Sequence, residues 1–246
     1  MAILFALFTV LSTTLGGTLA LKSHNRLHLT LGLSAGLILG LVSFDLLPEV
    51  FRINTATAMG VPLVMVAFVA GFVLLHLLER LSGAHEPLDG DEHEHGHAHT
   101  ATGVLGAIAM AGHVFLDGVA IGVAFQLSKG VGLAVALAVI AHAFSDGLNT
   151  VSLLIHHGHW QNRAKWLLLL DAAARTSGAA FGTYVMFSDH WLGLYLAMFA
   201  GFLIYLATSH ILPEAHSRHS SRVTLATTVA GIVIMFFVVS GTQSLG

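Results

Sequence analysis

Apolar residues run along this chain in long blocks, separated by short polar interruptions. Blocks long enough to cross a hydrocarbon core of about 30 Å fall at about residues 2–21, 28–51, 59–81, 104–127, 130–155, 164–187, 192–212 and 223–241. None shows the period-two alternation of a membrane β-barrel. They are rich in Gly and Ala, which let helices approach closely in lipid. The pattern predicts an all-α polytopic membrane protein with eight transmembrane helices, a single transmembrane domain over 1–246. No Lys or Arg precedes the first block. It is also long enough to span, so it reads as a helix of the protein and not as a cleaved leader.

Composition agrees. The chain is 55% hydrophobic and 9% charged, where a soluble domain is about a quarter charged. Mean hydropathy is +0.82. So little charge cannot cover a globular surface, and membrane lipid must be the solvent for most of the chain. There is no cysteine, so any metal site must draw on His, carboxylates, Asn or Met. Histidine is plentiful, 17 residues against 10 Lys and Arg. The net charge of -3 argues for no partner, and nothing points to nucleic acid.

The basic residues orient the chain. Taken alternately, one set of loops holds Lys22, Arg26, Arg80, Arg163, Lys165, Arg218 and Arg222, and the other Arg52 and Lys129. Positive charge collects on the cytoplasmic side. The first set is therefore cytoplasmic, and an even number of helices leaves both termini extracytoplasmic, in a multi-pass protein of the cell (inner) membrane. The longest polar segment, 84–100, reads AHEPLDGDEHEHGHAHT. This His-rich cytoplasmic loop, with His85, His93, His95, His97 and His99, reads as disordered. It is either a loose metal-capture tract or a solvated linker.

Two repeats carry the chemistry. His113-Val114-Phe115-Leu116-Asp117-Gly118 and His142-Ala143-Phe144-Ser145-Asp146-Gly147 both fit H-x-F-x-D-G. A four-residue separation puts His and Asp on one helix face. Each pair lies near the middle of its span. Charge at that depth costs several kcal/mol and usually marks an ion pathway. Two imidazoles and two carboxylates meeting there would make a four-ligand site for a borderline divalent cation. The second repeat pairs Asp45-Leu46-Leu47-Pro48-Glu49 with His210-Ile211-Leu212-Pro213-Glu214. Similar sequence in opposed orientation marks an inverted repeat, of helices 1–3 and 6–8, with helices 4 and 5 between them.

These residues resemble the ZIP (Zrt/Irt-like) family of metal transporters over nearly the whole chain. HVFLDGVAIG is similar to the family's helix 4 motif and HAFSDGLNT to its helix 5 counterpart. The resemblance implies an eight-helix 3+2+3 arrangement, metal movement toward the cytoplasm and a homodimer. It assigns His113, Asp117, His142 and Asp146 as the central metal ligands. Many members carry a second ligating residue after each His. Here Val114 and Ala143 cannot ligate, and Asp replaces the commoner Glu, so one transport-site metal is expected. Asp171 falls where the family has an acid bridging toward the second site. Asp171 and Arg175 form either a plain ion pair on one helix face or a pair whose guanidinium stands in for the missing second cation.

Accessory roles follow with less force. Asn149 is a ligand or a packing hydrogen bond. Asp45 with Glu49 forms an outer funnel, and His210 with Glu214 an inner exit, unless all four are interfacial polar groups. His76 and Glu79 read as satisfied structural residues, and His156, His157 and His159 as either plain loop residues or residues with a release role. The cargo is Zn2+, with Fe2+, Mn2+, Co2+ and Cd2+ also suited to such ligands. No catalytic cofactor is implied. Ligating histidine must be neutral, so acid pH should weaken binding. Two competing readings are a metal efflux transporter of the cation-diffusion-facilitator type and an intramembrane zinc-dependent hydrolase. The first has six spans and a cytoplasmic carboxy-terminal domain. The second lacks an HExxH or GxSxG motif here.

Overall fold

In water a helix buries its apolar stripe, and in lipid it can present that stripe outward. A computed structural model, which describes residues 1–22, 27–82, 98–155, 160–218 and 222–243, shows such outward faces. Leu4, Leu7, Leu11 and Leu15 are exposed along α1 (Ala2–Lys22), and Val66, Val69, Val73 and Leu77 along α4 (Leu63–Ser82). The polar groups lie inside: Asp117, His142 and Arg175 are fully buried. Residues 84–97 of the His-rich segment, with His156, His157 and His159, lie outside the described residues.

The helices continue with α2 (Leu27–Leu41), α3 (Leu47–Ile53), α5 (Ala98–Leu127), α6 (Lys129–Ile155), α7 (Trp160–Tyr184), α8 (Asp189–Leu206), α9 (Leu212–Arg218) and α10 (Arg222–Gln243). A π-helical turn at Val42–Leu46 joins α2 to α3, and another at Ala207–Ile211 joins α8 to α9. The described residues thus form eight helical rods. Among the described residues, four runs are long and apolar enough to cross a membrane: His28–Ile53, Leu63–Leu81, Asp189–His216 and Arg222–Gly241. Shorter apolar helices cover Ala2–Thr18, Ala111–Leu127 and Lys129–Phe144. This is a polytopic helical membrane protein.

Each π turn directly precedes a Leu-Pro-Glu sequence, and proline explains it. A prolyl ring has no N–H to give and meets the carbonyl four residues back. Widening the turn before Pro48 and Pro213 relieves that contact, and the Leu47 and Leu212 N–H groups donate instead to the carbonyls of Val42 and Ala207. The third apolar block differs from expectation at its start. Thr57–Ala58 pairs antiparallel with Val61–Pro62 around Met59 and Gly60, both at positive φ, so the helix begins only at Leu63.

Packing occurs in matched pairs. The chief contacts of α1 are with α6 and those of α7 with α5; α2 lies against α10 and α8 against α4. Glycine makes the first two approaches possible. A Cβ on Gly147 would sit 1.9 Å from the Thr13 carbonyl oxygen, and one on Gly16 would sit 2.0 Å from that of Phe144. The same crossing recurs between α5 and α7. There a Cβ on Gly118 would meet the Arg175 carbonyl oxygen at 2.1 Å, and one on Gly178 would meet that of Phe115 at 2.1 Å. Both motif glycines, each just after the motif Asp, are therefore where a neighbouring backbone touches the site helices.

Gly147→Ala should force α1 away from α6 and destabilise the protein by about 1–3 kcal/mol. Gly112→Ala, whose added Cβ meets nothing within 4 Å, should leave stability unchanged. Thermal unfolding of the detergent-solubilised protein, followed by fluorescence-detected size exclusion, checks both.

Candidate metal centre

The site begins with α5 and α6, packed side by side with their H-x-F-x-D-G motifs facing. The structure brings His113, Asp117, His142 and Asp146 together: one ligand atom from each can be chosen so that all lie within 4.8 Å of one another. His142 is fixed from behind. Its Nδ1 lies 3.0 Å from the Ala138 carbonyl oxygen, one turn earlier. A carbonyl only accepts, so Nδ1 carries the hydrogen. The other ring nitrogen, Nε2, lies 3.1 Å from Asp117 Oδ2.

That arrangement has a chemical consequence. A neutral imidazole with hydrogen on Nδ1 points a lone pair from Nε2, and a carboxylate oxygen also offers only lone pairs. The two atoms attract each other only through a positive charge, either a proton on Nε2 or a cation between them. Zinc binds such ligands at about 2.0–2.1 Å in a tetrahedron, which sets neighbouring donors about 3.3 Å apart. The 3.1 Å between His142 and Asp117 matches one edge of that figure. His113 Nε2 lies 3.7 Å from the same Asp117 oxygen and has no hydrogen-bond partner among the described residues. Donor type, spacing and an unsatisfied nitrogen all suit a borderline divalent ion.

A third helix reaches the site. Because Gly118 lets the α7 backbone close on α5, Arg175 enters fully buried beside Asp117. Its Nη1 donates to Asp117 Oδ2 at 3.2 Å, and its Nη2 reaches Asp146 Oδ2 at 3.5 Å and Asp171 Oδ1 at 3.3 Å. One guanidinium thus touches three carboxylates, more than the single Asp171–Arg175 pair that a helix-face reading provides. A fourth helix braces the base of the site: Tyr195 of α8 donates to the Leu116 carbonyl at 2.7 Å. No motif in the sequence marks this tyrosine.

Asp45, Glu49, His210 and Glu214 do not belong to this group. Asn149 belongs to α6, and its side chain lies outside what is described. Asp45 is buried within the first π turn. Glu49 forms a two-point ion pair with exposed Arg52, at 2.5 and 2.8 Å. His210 pairs with Glu79 of α4 at 2.8 Å, while Glu214 follows on α9. Tyr205 links this second cluster, donating to Glu79 at 2.5 Å and lying 3.1 Å from His76 Nδ1. A cleft of about 200 Å³ opens there, lined by His76, Glu79, Arg80, Tyr205, Ser209 and His210. The spacing of His76 and Glu79 on one helix face was the available signal; their partner Tyr205 carried none.

The centre lies inside the part of the chain that resembles known proteins. A family model described as ZIP Zinc transporter matches residues 82–239, more than half of the chain. Zinc transporter SLC39A7 of Homo sapiens is 30% identical over 141 residues, covering 54% of this chain and 30% of that protein. Zinc transporter ZIP9 of Xenopus tropicalis is 31% identical over 160 residues, covering 61% of this chain and 52% of the relative. ZIP9 of Micropogonias undulatus is 29% identical over 158 residues, covering 61% and 50%. The chain thus spans from under a third to about half the length of these relatives. With a matching family model over α5 to α10 and both His/Asp motifs within it, the chain belongs to the ZIP zinc transporter family.

Proposed function

We propose that this protein carries divalent metal, zinc above all, across a membrane toward the cytoplasm through His113, Asp117, His142 and Asp146. The observation that carries the reading is their convergence: four ligand atoms within 4.8 Å, three of the four residues buried, on two helices of an apolar chain. A buried, dehydrating site of this kind binds strongly enough to strip water from the ion, yet must release it. The relatives are named as zinc transporters, which supports zinc as cargo and transport rather than hydrolysis. Family membership likewise favours uptake over the diffusion-facilitator reading. The ligand set also suits Fe2+, Mn2+, Co2+ and Cd2+.

The wider arrangement belongs to the same proposal. Eight membrane spans in a 3+2+3 order, with both termini extracytoplasmic, accord with the eight helical rods and with the basic residues of alternate loops. An inverted repeat is supported by the matched contacts, α1 on α6 against α7 on α5, and α2 on α10 against α8 on α4. The twin π turns before Leu-Pro-Glu support it too. In this topology the cleft at Glu79 and His210 lies at the cytoplasmic end of α4, where metal leaves toward the His-rich loop of 84–100. Alternating access then arises from movement of one set of rods against the other, in a homodimer within a cell membrane.

Two measurements test the reading. Wild-type protein in proteoliposomes should take up radiolabelled zinc, and the combined His142→Ala and Asp146→Ala variant should lose at least about 100-fold of that rate, since even outer-shell partners of a metal ligand are worth 10–100-fold. Equal uptake by the two proteins would defeat it. A variant with His85, His93, His95, His97 and His99 changed to Ser should bind one zinc per chain in equilibrium dialysis; two equivalent tight sites would contradict a single central metal.

A further inference from the structure

Arg175 stands where buried charges of α5, α6 and α7 meet, and its contacts set a charge count. Three carboxylates, Asp117, Asp146 and Asp171, lie within 3.5 Å of its terminal nitrogens. With both imidazoles neutral, three acids against one guanidinium leave two negative charges. One divalent cation cancels them. A second would leave a surplus of two positive charges in a low-dielectric interior, where an unbalanced charge is strongly disfavoured. Without the guanidinium, a single divalent ion would leave one acid uncompensated.

The geometry adds competition to this balance. Arg175 Nη1 lies on Asp117 Oδ2, the same oxygen that faces His142 Nε2. An ion held between His142 and Asp117 would have to share that oxygen with the guanidinium or displace it. Arg175 has somewhere to go, because Asp171 is one turn away on its own helix and is already 3.3 Å from Nη2. Asp171 Oδ2 is buried with no hydrogen-bond partner among the described residues, so it can accept a further N–H. Arginine suits the task because its charge is permanent and its planar fork reaches several oxygens at once.

We propose that Arg175 is a tethered counter-ion that limits the central site to one divalent cation and competes with it for Asp117 and Asp146, withdrawing onto Asp171 when the metal is bound. This rests on the transport reading above and adds to it a cause for both capacity and release. In that role Arg175 is a positioning and specificity residue, not a ligand.

The test compares Arg175→Gln, Asp171→Asn and the double variant by zinc equilibrium dialysis of the purified protein and by zinc uptake in proteoliposomes. Removing the competitor alone should tighten zinc binding on the order of tenfold and lower maximal uptake by a similar factor, so KM and the maximal rate fall together. Asp171→Asn alone should weaken binding. The double variant restores two negative charges and should return affinity to within about threefold of wild type. A purely structural Arg175 would give weaker or unchanged binding in Arg175→Gln and no recovery in the double, and either result overturns the proposal. If Arg175→Gln does not fold, Asp171→Asn alone decides: weaker zinc binding supports the proposal, and unchanged or tighter binding overturns it. Wild-type protein that binds no zinc would sink the transport reading and this inference with it; wild-type binding with unaltered variants sinks only the inference.

Discussion

A carboxylate cut off from solvent must find its positive charge inside the protein, and Asp117 shows how far a fold will go to supply one. Its Oδ2 is approached by an imidazole from α6 and a guanidinium from α7, while α5 brings His113 within 3.7 Å. Three helices therefore have to cross at one depth. The glycines make that crossing possible, since any side chain at Gly118 or Gly178 would collide with the opposite backbone. Packing and chemistry are thus one constraint: the helices approach because the glycines allow it, and the charges are tolerable because the helices approach.

Much of this was legible in the amino-acid order. Apolar blocks separated the rods because lipid, unlike water, permits long uninterrupted hydrophobic helices. The repeated H-x-F-x-D-G motif revealed the paired face because helical periodicity ties residues four apart. What stayed hidden was contact between distant helices. Nothing local says that Arg175 would bridge Asp117 and Asp146 as well as Asp171, or that Tyr205 would join Glu79. Partners such as these are set by how rods pack, and packing between lipid-exposed helices leaves only a faint trace of small residues. The apolar block at about 59–81 also begins before its helix does. Hydropathy does not register the positive φ of Met59 and Gly60, which turns the chain before α4 begins.

The helix pairs also divide labour. The pairs α1–α6 and α5–α7 enclose the central acids and imidazoles, whereas α4 and α8 hold a second polar group, the Glu79 cleft, at one end of their contact.

The π turns bear on how such a chain should be read. A π turn fits more residues into each revolution than the 3.6 of an α-helix, so it introduces a phase slip. Side chains beyond it no longer fall on the azimuth that a single continuous wheel assigns. Asp45 is buried within the first slip, while Glu49, four positions later and itself mostly buried, takes exposed Arg52 as its partner. A projection drawn straight through either Leu-Pro-Glu segment therefore misplaces the residues beyond the turn, and wheels for this protein must be restarted at Leu47 and Leu212.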